Sequence, residues 1–246
     1  MAARRWSDVV LFAVVVPVAL FFAVVFILFR PYWIPSGSMK PALLVGDYLL
    51  VNRAAYGFPA LMCRLSSCEA SMGPFGGLPA RGDVATFVHP KRETHFIKRV
   101  MGLPGDEVAL KDGIVVLNGT ELSQEPLAPF TEVYALDEGG MRCSNAPVEI
   151  GAVCEKTQSR EVLPNGAIYA VLNLKEGLSS DSAGPFVVPE GHVFVMGDNR
   201  DNSLDSRFPA ERGGIGFVPL ENMVGRAEII LFSLKGREGR LFKWVQ

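Results

Sequence analysis

Chemistry suggests itself first at Ser38, inside the run Ile34-Pro35-Ser36-Gly37-Ser38-Met39-Lys40-Pro41. Two prolines set φ at their own positions and bias Ile34 and Lys40 toward extended backbone, so the run is expected to stay open instead of folding into a helix. Gly37, between two serines, permits the close backbone approach that a peptide amide aimed at a ligand often needs. The same composition also fits a plain linker. The second unusual residue is Lys98. Over residues 94–101 a period of two places Phe96, Lys98 and Val100 on one strand face and His95, Ile97 and Arg99 on the other. Burial would disfavour the lysine's ammonium form and turn it into a base near neutral pH, whereas an edge-strand lysine would reach out to water. The third feature is the polar run Gly197-Asp198-Asn199-Arg200-Asp201-Asn202-Ser203-Leu204-Asp205-Ser206-Arg207, directly after an apolar strand pattern. A solvated loop or a calcium loop would have this composition, although the bidentate glutamate of an EF-hand is lacking. A serine in a proline-bounded loop and a lysine on an apolar face together suggest a Ser/Lys pair, in which the amine takes the serine proton. His95 is assigned to the opposite face, which disfavours a Ser/His arrangement there.

The elements that must position these groups are mostly strands. Residues 9–29 are the exception: they carry no charge, only Pro17 interrupts them, and about 20 such residues span a bilayer. Arg4 and Arg5 precede the run, which is longer than a signal-peptide core and is followed by no Ala-x-Ala site, so an uncleaved anchor is expected. The flanking charge leaves residues 1–8 cytoplasmic and the remainder on the far side. Beyond the anchor, residues 43–51 predict two strands about a Gly46-Asp47 turn, and residues 54–80 read as a surface loop. Strands follow at 84–88 and 94–101, the latter closed by Gly102-Leu103-Pro104-Gly105-Asp106, and then a hairpin turning at Lys111-Asp112-Gly113. Residues 121–190 mix short β-like runs with loops, and closing strands are expected around 193–196, 215–219 and 224–232.

A chain of 246 residues accommodates one sizeable domain plus an anchor, or one domain with a large insertion. The net charge of −2 offers no bulk attraction to nucleic acid. Four cysteines fall into two local pairs, Cys63 with Cys68 and Cys143 with Cys154, at spacings foreign to zinc ribbons and away from the three histidines, so no metal is expected. Two short-loop disulfides are the natural reading in an oxidising compartment; other connectivities and free buried thiols remain open.

In order, Pro-Ser-Gly-Ser-Met-Lys-Pro with Gly46-Asp47, then Arg81-Gly82-Asp83-Val84, then Phe96-Ile97-Lys98-Arg99-Val100 with Gly102-Leu103-Pro104-Gly105-Asp106, then Gly197–Ser203 with Asp205-Ser206-Arg207 form four blocks. They resemble those of the bacterial type I signal peptidase (leader peptidase) family, a match spanning about 34–232. The resemblance implies a mainly β fold of coiled antiparallel sheets: a catalytic core from residues 30–106 and 191–246, an inserted β-rich domain at 107–190, and one preceding transmembrane helix. It implies Ser38 as nucleophile, Lys98 as general base, Ser36 as an oxyanion donor beside the Ser38 N–H, and Ser203 as a hydroxyl that hydrogen-bonds and orients Lys98. Asp198, Arg200, Asp205 and Arg207 would form an ionic scaffold, and Met39 would help line a pocket for small residues. No cofactor is implied. The implied partners are signal peptides of preproteins and the lipid bilayer, near the secretion translocon, at the periplasmic face of the bacterial inner membrane. Against this stand a Ser/Lys maturation peptidase dedicated to one partner, and a membrane-anchored β-rich binding module that would not need Ser38 or Lys98.

Overall fold

The computed structural model describes residues 11–57, 77–135, 142–175, 177–234 and 239–245. The expected Cys63–Cys68 pair and residues 1–10 lie outside them. A π-helical turn, Leu11–Val15, leads directly into α1 (Val16–Leu28), and Pro17, which has no N–H to donate to that preceding turn, stands where the π geometry gives way to α. None of the α1 side chains is buried. The chain leaves the helix at Phe29, which is extended; Pro31 disfavours helical backbone at Arg30, and the Arg53 N–H satisfies the Leu28 carbonyl. The helix is therefore shorter than the apolar run that predicts it, and no helix among the described residues is long and apolar enough to cross a membrane.

The strands are β1 (Phe29–Trp33), β2 (Asp47–Asn52), β3 (Val84–Val88), β4 (His95–Gly102), β5 (Glu107–Lys111), β6 (Ile114–Leu117), β7 (Thr120–Glu121) and β8 (Ser123–Pro126), then β9 (Phe130–Val133), β10 (Val153–Val162), β11 (Ile168–Asn173), β12 (Ala183–Val187), β13 (His192–Met196), β14 (Val218–Pro219), β15 (Met223–Ser233) and β16 (Lys243–Trp244). The largest sheet runs β1-β2-β15-β3-β4-β13-β14, with β16 also on β15, and every pairing is antiparallel. Three register shifts fall along β15, each a point where the strand bends and the sheet curls. At one of them Gly225 is obligatory: a Cβ there would stand 2.3 Å from the Asn52 carbonyl oxygen.

Residues 43–45, expected in a strand, instead complete a turn. The Leu43 N–H bonds the Met39 carbonyl at 2.9 Å, and the Asp47 carboxylate accepts the Leu44 N–H at 2.7 Å, fastening the entry to β2. The Asp112-Gly113 hairpin forms as expected, both residues at positive φ between β5 and β6.

Residues 107–190 build two small sheets, β12-β5-β6-β7 and β11-β10-β8 with β9 on β10. Among the described residues, their buried side chains share a core with the large sheet. Val108, Leu110, Val115, Leu163 and Val171 pack in one cluster with Met101 of β4 and with Phe194 and Met196 of β13. The two faces of β4 meet different clusters, and both are buried from Lys98 onward: Phe96 and Val100 join the cluster around Phe87, Val195 and Met223, while Ile97 packs against that of Ile34, Leu43, Leu49 and Ile230.

Candidate active site

Ser38 begins the turn that follows the open segment 34–36 and the bend at Gly37, so the expected open backbone reaches only to Ser36 and the Ser-Met-Lys-Pro part is a turn. Two features make that turn rigid. The Asn199 side chain donates to the Gly37 carbonyl at 2.9 Å and the Asn199 N–H to the Ser38 carbonyl at 3.0 Å, so consecutive peptides are held by a single buried residue. Sequence reasoning passed over Asn199 because its amide looks like any other polar group of the loop.

Lys98 enters from the middle of β4. Its Nζ donates to Ser38 Oγ at 2.5 Å, and both residues are buried. Burial is the main reason its pKa falls to about 8; Asp205 and Asp198 oppose the fall and Arg207 adds to it. The two carboxylates cannot keep the amine protonated because each already has a guanidinium. Asp198 accepts both arms of Arg99, at 2.8 and 2.7 Å, and Asp205 accepts Arg207 at 2.8 and 3.0 Å. Burial alone would raise the Asp205 carboxyl, but Arg207 and the Gly197 N–H carry it below its ordinary value. A buried lysine among neutralised ion pairs is what a neutral-pH amine base requires.

The scaffold differs from the expected one in its partners. Asp205 and Arg207 pair with each other, whereas Asp198 pairs with Arg99 and Arg200 donates at 2.6 Å to Glu161 of β10. Glu161 also accepts the Tyr169 hydroxyl, and the Arg99 guanidinium stacks over the Tyr169 ring at 4.0 Å. Arg99, Glu161 and Tyr169 are far from the loop in sequence, so only the packing of β10 and β11 against it reveals them.

Two site expectations are corrected. Ser203 Oγ is buried beside Gly197, yet it has no hydrogen-bond partner among the described residues, so it does not bond Lys98 here. Met39 does not line the cleft; it is buried in the cluster with Leu43 and Leu49, behind the turn that carries Ser38. The cleft itself, about 760 Å³, is lined by Ser36, Ser38, Lys98 and Ser203, with Ile97 and Leu204 among its apolar walls. Ser36 Oγ stands 3.5 Å from Ser38 Oγ. His95 edges the cleft but its ring meets Tyr32, with Nδ1 3.4 Å from the Tyr32 hydroxyl. Cys143 and Cys154 are disulfide-bonded, which fixes one expected pair. No group of three potential metal ligands occurs among the described residues.

An antiparallel fold that brings Ser38 and Lys98 together in an apolar-walled cleft has the parts that the class of Ser/Lys serine endopeptidases needs. Comparison with known proteins narrows the class. A family model described as "Signal peptidase, peptidase S26" matches residues 5–232, and the chain belongs to that family. The signal peptidase I of Rickettsia canadensis is 33% identical, over 95% of this chain and 81% of that protein. That of Pseudomonas aeruginosa is 37% identical, over 87% and 70% respectively. A crystal structure of a signal peptidase I from Enterococcus faecalis is 27% identical, covers 61% of this chain and 97% of that one, and aligns with a TM-score of 0.32.

Proposed function

We propose that the chain is a membrane-bound endopeptidase that removes N-terminal signal peptides from exported preproteins after an Ala-x-Ala type site, with Ser38 as nucleophile and Lys98 as general base. The observation that carries this is the buried 2.5 Å contact between Lys98 Nζ and Ser38 Oγ. Neutral Lys98 takes the hydroxyl proton as Oγ attacks the scissile carbonyl. The Ser38 N–H and the Ser36 hydroxyl stabilise the charge on the carbonyl oxygen, an interaction worth a few kcal/mol because that charge exists only in the tetrahedral state. The ammonium then protonates the departing amine, and water, deprotonated by the same lysine, releases the acyl group. Ser203, unpartnered and facing the cleft with Lys98, gains a partner when that ammonium forms. Small apolar walls such as Ile97 and Leu204 favour alanine-sized side chains and exclude larger ones.

The helical segment up to Leu28 is held by the bilayer, with the rest of the chain on the periplasmic side of the inner membrane. Support comes from the helix itself, where Phe21 and Phe26 are 64% and 74% exposed and no α1 side chain is buried. Trp33 at the end of β1, and Leu241, Phe242 and Trp244 at and before β16, are further large apolar side chains left exposed, as on a surface that rests on lipid. The Cys143–Cys154 disulfide suits an oxidising compartment. Ser38 follows Phe29 by nine residues, at most about 30 Å of extended chain, so cleavage takes place near the membrane surface, where a translocating preprotein emerges. Residues 30–106 and 191–246 form the catalytic core in this reading, and residues 107–190 an insertion that braces it.

The deciding assay is cleavage of a preprotein bearing an Ala-x-Ala site, in detergent, by wild type, Ser38→Ala and Lys98→Ala, with circular dichroism as the folding control. Loss of cleavage in both folded variants is expected; cleavage by either at the wild-type rate refutes the catalytic assignment.

A further inference from the structure

Lys40 lies two residues beyond Ser38, yet its side chain does not reach solvent or the cleft: the residue is 2% exposed. It turns back beneath the loop. A Cβ on Gly37 would stand 3.1 Å from Lys40 Cε and 3.3 Å from Cδ, so the lysine stem is packed against the residue that precedes the nucleophile. Its Nζ then donates to Glu132 Oε2 at 2.6 Å, and Glu132 Oε1 accepts Lys156 Nζ at 2.5 Å. All three side chains are essentially buried, at 2%, 2% and 1% exposure.

The far end of this chain of contacts is anchored in the insertion. Glu132 lies on β9 and Lys156 on β10, which pair with Cys154 directly opposite Glu132. Cys154 is the residue tied by disulfide to Cys143, so the ladder that presents Glu132 is held covalently as well as by hydrogen bonds. A buried carboxylate between two amines is costly to break at one member, because the charge left behind has no water to solvate it. The nucleophile turn is thus gripped from two directions: Asn199 holds its carbonyls, and the Lys40 stem supports it from beneath.

We propose that Lys40, Glu132 and Lys156 form an ionic strut through which residues 107–190 set the position of Ser38, making Glu132 a positioning residue for catalysis although it contacts neither substrate nor Lys98. The inference rests on Ser38 being the nucleophile. It gives the insertion a part in the chemistry, since the strut transmits the placement of β9 to the turn that carries the attacking oxygen.

The test uses the full chain in detergent with an Ala-x-Ala peptide, comparing wild type, Ser38→Ala, Glu132→Gln, Lys40→Met and the double variant Lys40→Met/Glu132→Gln. Rates are normalised to the folded fraction from circular dichroism and thermal melting. Each single variant is expected to lower kcat by about tenfold or more with KM within about twofold, because the substrate-binding walls are untouched while the nucleophile is displaced. The double variant is expected to lose no more than about twofold beyond the worse single, since both changes cut one linkage. Lys40→Met leaves Glu132 paired with Lys156 and serves as the readout if Glu132→Gln fails to fold. Wild-type kcat in folded Lys40→Met or Glu132→Gln, or losses that simply multiply in the double variant, would overturn the strut. Activity retained by Ser38→Ala would instead refute the nucleophile assignment, a separate failure that this arm identifies.

Discussion

The acid limb of the pH profile is where the site can be tested most sharply. Burial brings the Lys98 amine from 10.5 to about 8. At pH 7 roughly one molecule in ten then carries the neutral base, against roughly one in three thousand for an ordinary lysine, a gain of about 300-fold. The pH dependence of kcat/KM reports the free enzyme, so half-maximal activity is expected near pH 8, rising with pH through that value. Two neighbours push this point in opposite directions. Asp205 favours the ammonium and Arg207 opposes it. Asp205→Asn removes the attraction and leaves Arg207 uncompensated, so the limb moves to lower pH; Arg207→Met frees the Asp205 charge and moves it to higher pH. A displacement of about half a unit or more is expected in each case, one unit corresponding to about 1.4 kcal/mol of changed interaction. The assay is peptide cleavage between pH 6 and 10 on folded protein, and only the midpoint is read, so partial loss of rate does not confuse it. A wild-type midpoint near 10, or both variants shifting the same way, would refute the account of Lys98 as a buried base tuned by the Asp205–Arg207 pair.

Three further outcomes follow from the same geometry. Between about pH 8 and 10.5 the unfolded chain holds a proton on Lys98 that the folded chain does not, so this group makes stability rise with pH across that window and costs about 3 kcal/mol at neutral pH. Lys98→Met should flatten the rise and give a higher melting temperature at pH 7; a melting temperature at or below wild type there would argue against the depressed pKa. Gly197→Ala would bring a Cβ within 2.3 Å of Ser203 Oγ and 2.6 Å of the Ser38 carbonyl oxygen. Because backbone cannot yield as a side-chain tip can, a stability loss of about 1–3 kcal/mol with a larger fall in kcat is expected, and chemical denaturation with parallel kinetics would show otherwise if both are unchanged. Glu161→Gln removes the charge that Arg200 faces in a site sealed from water, which should cost on the order of 3–5 kcal/mol; a urea midpoint within error of wild type would mean that Arg200 finds another partner.

Much of this protein is legible in its sequence. The alternation at 95–100 placed Lys98 on an apolar face, because in a strand side-chain direction follows from parity alone. The Lys111-Asp112-Gly113 run announced its hairpin by residue type, since few residues tolerate the positive φ that Asp112 and Gly113 adopt. The helix was also visible, but its end was not: hydropathy runs through Phe29, whereas the pairing of Phe29 with Asn52 draws that residue into the sheet.

What the chain order could not disclose is everything that depends on which surfaces meet. The family resemblance implies Met39 as a pocket residue, whereas the turn at Ser38 directs it into the core. The partners of Asp198 and Arg200 could not be chosen from a loop of alternating charges, because Arg99 and Glu161 arrive from other strands. Nothing near Lys40 in the sequence points to its partner, because β9 delivers Glu132 to it across ninety-two positions. The sequence by itself determined which residue types and local geometries were available, since periodicity and backbone preference act within a few residues. The tertiary structure decided which charges are buried together and which serine hydroxyl is left to a single amine, because burial and Coulomb energy depend on distances that only the assembled sheets define.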